Sequence, residues 1–368
     1  MELINATKMT AGYTLGLERS CRESLIVAIK GTFSIPKDGE RLALADEQLP
    51  LVLADEFEGE PGRSAPAREA DFALRKARCD VLLRGSAYAP SGRPAVRVPV
   101  GLSVGAWRKT FAVVGDRVWA RTFGGVTAGP PAPFVRKSIS YCDAYGGVDD
   151  HDPDPSRHVW FMRNPVGRGF RTRSHAGLDG IAMPSCEEIG RPVEVPGENY
   201  VPMSFGPVGR YWSPRVGYAG TYDEKWQASR FPFLPVDFDE QYYQAAPSDQ
   251  QIAYPADRLR VRMVNLTPDG IRDFELPKFE APVHFFRRDG GVETQVAVLD
   301  TIVFEPDREM MSLVWRAARP LRRSAFEIAE ILVGKPDRQW WIRRDEVEEP
   351  ISEGTAEPVD ESSHARPG

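Results

Sequence analysis

Apolar residues gather towards the two ends of this chain in runs of strand length. Leu25-Ile26-Val27-Ala28-Ile29 leads into the partly alternating Lys30-Gly31-Thr32-Phe33-Ser34-Ile35, and Pro36-Lys37-Asp38-Gly39 supplies a turn. Residues 80–88 predict a second strand, stopped by Pro90-Ser91-Gly92. Residues 96–104 predict a third, which Pro99 favours at a sheet edge because proline cannot donate to a ladder. Residues 107–119 fit a hairpin turning at Gly115-Asp116. After residue 259 the pattern returns. Residues 260–266 alternate, residues 283–286 and 294–298 flank the hairpin signal Asp289-Gly290-Gly291, and residues 301–304 and 311–317 extend the β region. One helix is predicted over 325–333. Ser324-Ala325-Phe326-Glu327 reads as a capping box, Phe326, Ala329, Ile331 and Leu332 as its buried stripe, and Gly334 with Pro336 as its stop.

Between these regions the pattern breaks down. Residues 126–258 are dense in Pro, Gly, Arg and aromatic residues and allow only short helical turns, near 239–245 and after Ser248. The fold expected is therefore mainly β, a sandwich or barrel-like scaffold with strands from both ends packing around a common core or as two abutting sandwiches. A long irregular Pro/Gly-rich middle and one C-terminal helix complete it. The corresponding divisions are 1–125, 126–258 and 259–345, followed by an acidic tail over 346–368 read as disordered.

Composition supports this reading. Gly and Pro contribute 32 residues each among 368, above their usual combined share of about 12%, as a turn-rich β protein requires. The net charge of −6 provides no general attraction for nucleic acid or an anionic membrane. The 38 arginines outnumber 9 lysines, and guanidinium forks favour carboxylate pairing and aromatic stacking. Cys21, Cys79, Cys142 and Cys186 are too widely spaced for a zinc ribbon or a redox pair and read as buried thiols of a reducing compartment. No leader-like segment opens the sequence and no run is long enough to span a membrane, so a cytoplasmic location is expected.

Catalytic signals are sparse. Asp149-Asp150-His151-Asp152-Pro153-Asp154 lacks the spacing of a calcium loop and reads as a solvated acidic loop. His158 and His175 could add to a metal site there, but no paired-histidine spacing supports one, and neither metal nor cofactor is expected. Gly167-Arg168-Gly169 lacks the lysine of a phosphate loop and reads as a turn placing Arg168 in an ion pair. Trp212, Arg215, Trp226 and Arg230 form the most suggestive group. Such residues serve either as interface anchors or as internal struts that pin loops to a sheet.

The ordered motifs resemble a bacterial family encoded beside type VI secretion genes, whose members look like effector adaptors or chaperones. At the front they are Asn5-Ala6-Thr7, Lys30-Gly31-Thr32-Phe33, residues 54–62, Asp71, Lys76, Asp80-Val81-Leu82, residues 85–90, Gly115-Asp116-Arg117 and Trp119. The middle adds residues 145–149 and 164–170, Trp212-Ser213-Pro214-Arg215, residues 219–223, Trp226, residues 234–238 and residues 246–251. Leu299-Asp300-Thr301 and Trp315-Arg316 close the series. Tyr145 stands where the family usually has Phe, Cys142-Asp143 departs from its pattern, and residues 171–200 match poorly. The resemblance implies a non-enzymatic cytoplasmic helper that binds the PAAR-like tip domain of a type VI secretion effector and helps mount it on the valine-glycine repeat (VgrG) spike. It carries over no catalytic residue. A hydrolase or carbohydrate-active enzyme with a carboxylate pair, and a structural piece secreted with the spike, are the competing readings.

Overall fold

The computed structural model describes residues 1–37, 40–172, 177–336 and 338–348. Residues Met1–Gly334 form one compact unit and Lys335–Gly368 a second. The principal strands are β1 (Glu2–Asn5), β2 (Thr10–Leu17), β3 (Glu23–Ser34), β4 (Cys79–Leu83), β5 (Arg97–Val104), β6 (Trp107–Val114), β7 (Cys186–Glu187), β8 (Arg260–Val264), β9 (Ile271–Glu275), β10 (Ala281–Arg287), β11 (Val292–Glu305), β12 (Met310–Pro320) and β13 (Ile328–Val333). Strand accounts for 40% and helix for 12%, so the protein is mainly β.

The large sheet runs β1-β13-β10-β11-β12-β3-β2, with β4 joined in parallel to β11. Its end strands, β1 and β2, lie side by side, which makes the sheet nearly closed and barrel-like. Strands from both ends of the chain thus share one core, the first of the two arrangements that the hydrophobic runs allowed. β3 reads as a continuous apolar run because both its faces are covered. On its outer side the Lys30 ammonium donates to Asp71, and the Thr32 hydroxyl accepts from the Leu49 N–H, so the loop over residues 48–71 lies across the strand. The hairpin around residues 289–291 joins β10 to β11 as expected. Residues 294–298 and 301–304 belong to one strand, β11, with a bulge between Leu299 and Thr301. A bulge re-aims the side chain it carries, and Asp300 there is buried.

A second sheet, β7-β6-β5-β8-β9, packs its inner residues Val100, Leu102, Phe111 and Met263 into the same core as Phe285, Ile302 and Leu313. Here the sequence reading needs correction. β5 and β6 turn at Gly105, which takes a positive φ of 59°, and not at Gly115-Asp116. Gly115 instead allows close chain approach: a Cβ on it would lie 1.7 Å from the Ala132 carbonyl oxygen. β5 is internal to its sheet, although Pro99 falls beyond the reach of the β8 ladder, where a missing N–H costs nothing.

The helix expected over 325–333 is absent. Residues Ala325–Glu327 make a single 3-10 turn and the rest is β13, held between β1 and β10. Ile328, Ile331, Leu332 and Val333 are all buried as strand residues, while Phe326 is exposed. Two ready neighbours outweigh a local helix signal for a segment rich in β-branched residues. Ser324 caps nothing. Glu327 accepts from Arg319 and from the N–H groups of Arg322 and Arg323. Ser324→Ala should therefore stay within about 0.5 kcal/mol of the parent, instead of losing the roughly 1 kcal/mol of a true cap. Glu327→Ala should cost more, and chemical denaturation of both variants checks the ranking.

A C-terminal helix does exist, at Arg338–Glu348, where Trp340 meets Trp341 edge-on and Arg344 stacks on Trp340. It takes in residues 346–348, which the sequence reading gave to the tail, and the remainder of that tail lies outside the described residues. In the middle of the chain the expected helical turns are joined by a small core. Short 3-10 turns occur at Glu240–Tyr243 and Ser248–Gln250, and Trp119, Tyr145, Phe170, Leu178, Met183 and Tyr200 participate in the core. Aromatic rings supply enough buried area to organise sequence that has little regular structure.

Candidate partner-binding surface

The four residues singled out as one group divide into two pairs with different environments. Trp212 is completely buried, 5.4 Å from the Tyr141 ring in an edge-on contact. It lies so close to Gly209 that a Cβ there would sit 2.6 Å from the indole nitrogen. Arg215 is also buried. Its guanidinium donates to the carbonyls of Val208 (2.7 Å) and Tyr242 (2.9 Å) and pairs with Glu69. Both are struts tying the irregular middle to the scaffold.

Trp226 and Arg230 belong to a surface knob built around a short helix, Glu224–Ser229. The Asp223 carboxylate caps it by accepting from the Trp226 N–H at 2.8 Å. The Trp226 indole N–H donates to the Phe233 carbonyl at 2.8 Å, and Arg230 donates to the carbonyls of Leu234 and Arg19. Gly220 enters the knob with φ of 82°, where a side chain would strike Pro235 and Asp237. The Asp237 carboxylate accepts from the N–H and hydroxyl of Thr221 at 3.0 and 2.7 Å. Those hydrogen bonds hold its carboxyl below the ordinary range.

These internal bonds fix the shape and leave the apolar groups outward. Tyr222 is 54% exposed, Phe231 66% and Val236 69%. Trp226 sits between the two rings, with centroids 4.7 Å from Tyr222 and 5.7 Å from Phe231. Arg230 is thus a strut, and Tyr222 and Phe231 are anchor-type residues that the sequence reading did not nominate. Tyr222 and Val236 do fall within its motifs, but exposure is not legible there.

A second set of motif residues converges in the interior. Lys30, Asp71, Lys76, Asp80, Asp300 and Arg316, spread over most of the chain, are all buried. Lys30 donates to Asp71 at 2.9 Å. Lys76 donates to Asp80 at 2.7 Å and to the Thr301 hydroxyl at 3.0 Å. Arg316 pairs with Asp300 and donates to the Asp71 carbonyl at 2.7 Å. Three cations meet three carboxylates, so the cluster is neutral, and the adjoining cavity of about 40 Å³ holds little more than a water. Cys79 beside it is sealed, and burial together with Asp300 and Asp80 holds its thiol well above the usual range, the opposite of nucleophile activation. The arrangement fastens β3, β4, β11 and β12 together, with each of its carboxylates paired to a cation.

An open cleft of about 490 Å³ collects Arg84, Arg136, Arg168 and Arg308 with Asp143, Glu305 and Asp307. Arg168 pairs with Asp143 at 2.7 Å, as the glycine-turn reading expected, and Arg136 pairs with Asp307 at 2.7 Å. Glu58 lines the same cleft and is held above the ordinary carboxyl range by burial. Burial likewise raises the Cys142 thiol. The acidic loop is less solvated than expected. Asp149 is buried and accepts from the N–H and hydroxyl of Thr172, while Asp150 is exposed. His158 contacts the Asp152 carbonyl at 2.9 Å, and His175 lies outside the described residues. Among the described residues no group of His, Cys, Asp and Glu has a metal-holding arrangement, and no helix is long and apolar enough to cross a membrane.

A model of a family described as an uncharacterized protein conserved in bacteria (DUF2169) matches residues 20–316. No curated protein and no solved structure matches the chain.

Proposed function

We propose the following for this chain, which belongs to the bacterial DUF2169 family: it is a non-enzymatic adaptor that holds the PAAR-like tip domain of a type VI secretion effector and helps load that effector onto the VgrG spike. The observation that carries the reading is the knob. Asp223, Asp237, Thr221 and the Trp226 indole are spent on hydrogen bonds that fix its shape, and Tyr222, Phe231 and Val236 stand exposed around Trp226. A preorganised aromatic projection binds with little ordering cost, and aromatic anchors concentrate interface energy. The ordered motifs support the choice of partner, since residues 219–223, Trp226 and residues 234–238 build this knob. A surface that holds a partner also agrees with buried ion pairs that are closed on themselves and with thiols that burial keeps protonated.

Co-expression of the tagged chain with the effector encoded beside it, with and without the tip domain, tests the proposal. The complex should form only when the tip domain is present. The double variant Tyr222→Ala, Phe231→Ala should bind at least 30-fold more weakly, since an anchor contributes about 2 kcal/mol or more, with an unchanged melting transition. Trp226→Ala should weaken binding and lower stability modestly, because the ring is half-buried and carries a hydrogen bond. Full recovery of effector by the double variant would remove the knob from the interface. Retention of an effector that lacks its tip domain would redirect the partner assignment.

A further inference from the structure

The irregular middle of the chain also encloses a cleft of about 300 Å³, within the range of ligand sites. Tyr141 and Arg163 form one part of its lining, residues from 201–218 and 241–251 the rest, together with the buried Lys109. Pro202, Pro214 and Pro247 give it rigid apolar walls.

The charges around it do not balance. Lys109, Arg163 and Arg215 face one lining carboxylate, Asp249. Lys109 is committed, with Asp249 at 2.8 Å and the Gln250 side-chain oxygen at 2.6 Å. Arg215 is neutralised from behind by Glu69. Arg163 has neither an ion pair nor a side-chain hydrogen bond among the described residues, whereas its neighbours in sequence do: Arg168 has Asp143 and Arg171 has Asp149. The second unspent group is Tyr141. It is only 3% exposed, yet its hydroxyl makes no hydrogen bond within the described residues. Burial holds its phenol far above the ordinary range, Asp249 acting in the same direction and Arg163 against it. The hydroxyl therefore stays protonated and can donate.

We infer that this cleft binds a carboxylate, with the Arg163 guanidinium as its charge partner and the Tyr141 hydroxyl as its hydrogen-bond donor. One uncompensated positive charge beside the fixed negative charge of Asp249 suits a monoanion and disfavours a phosphate dianion. A planar guanidinium matches the two oxygens of a carboxylate. The proline walls suit a short apolar group attached to it. A peptide C-terminus and a free small carboxylic acid share this chemistry, and the site does not depend on the adaptor reading.

Titration of the intact protein by calorimetry and by tryptophan fluorescence tests the inference, since Trp212 abuts the Tyr141 ring. The probes are acetyl-Val-Pro with a free carboxylate, its C-terminal amide, sodium propionate and inorganic phosphate. At least one of the two acids should bind saturably at millimolar concentration, with the amide and phosphate at least tenfold weaker. Tight binding of the peptide alone identifies a chain terminus as the source; equal binding of propionate identifies a free acid. Arg163→Gln should reduce affinity at least tenfold and Tyr141→Phe several-fold. Both variants should melt like the parent, because neither group has an internal partner to lose. The inference fails if neither acid binds, if amide or phosphate binds as well as the acids, or if Arg163→Gln keeps parental affinity.

Discussion

Asp80→Ala should destabilise the protein by about 3–5 kcal/mol, the loss typical of a buried ion pair deprived of one partner. The Asp80 carboxylate is completely buried. It accepts from the Lys76 ammonium at 2.7 Å, the Gln244 amide at 2.7 Å and the Ala245 N–H at 2.8 Å. Truncation would strand the Ala245 N–H, leave Lys76 with only the Thr301 hydroxyl, and leave the Gln244 amide with only the Arg78 carbonyl. It would also release the segment around Gln244, which is irregular and depends on such side-chain bonds. Urea denaturation of parent and variant, compared by midpoint and slope, measures the effect. The double variant Lys76→Met, Asp80→Leu should recover much of it, because replacing both partners removes the uncompensated charge. A loss below about 1 kcal/mol for Asp80→Ala would mean that solvent reaches the network and that its role as a fastener is wrong.

Trp212→Ala should be comparably severe, about 3–5 kcal/mol, as for removal of a large aromatic side chain from a core. The indole fills space between Tyr141, Tyr211 and the backbone at Gly209, so its loss leaves a cavity that rigid neighbours cannot close. Phe231→Ala gives the contrast. Its ring is mostly in solvent and should cost the isolated protein within about 0.5 kcal/mol. Thermal melts of the two variants thus separate the struts from the outward-facing residues. Similar losses at both positions would show that the knob is part of the core.

The readings that held rest on local rules. Asp289-Gly290-Gly291 between two apolar runs specifies a hairpin through positive φ, and the unbroken run from Leu25 to Ile29 needs a strand buried on both faces. The mainly β class followed from such runs, while the choice of one shared core over two abutting sandwiches did not. Ser324 to Val333 shows the limit of this approach. A capping box competes with pairing partners more than 40 residues earlier and near the opposite end of the chain, and only the assembled sheet decides between them.

The candidate surfaces divide in the same way. The sequence alone identified Trp212, Arg215, Trp226 and Arg230 as chemically apt, because residue type sets what a side chain is able to bond. Tertiary structure decided that the first two are buried struts, that Arg230 braces the knob and ties it to Arg19, and that Tyr222 and Phe231 face outward. It also decided that Lys30, Asp71, Lys76, Asp80, Asp300 and Arg316 neutralise one another while Arg163 is left over. Charge pairing and solvent exposure are properties of distances between residues far apart in the chain. No local pattern encodes those distances, and they exist only once the sheets have closed around their common core.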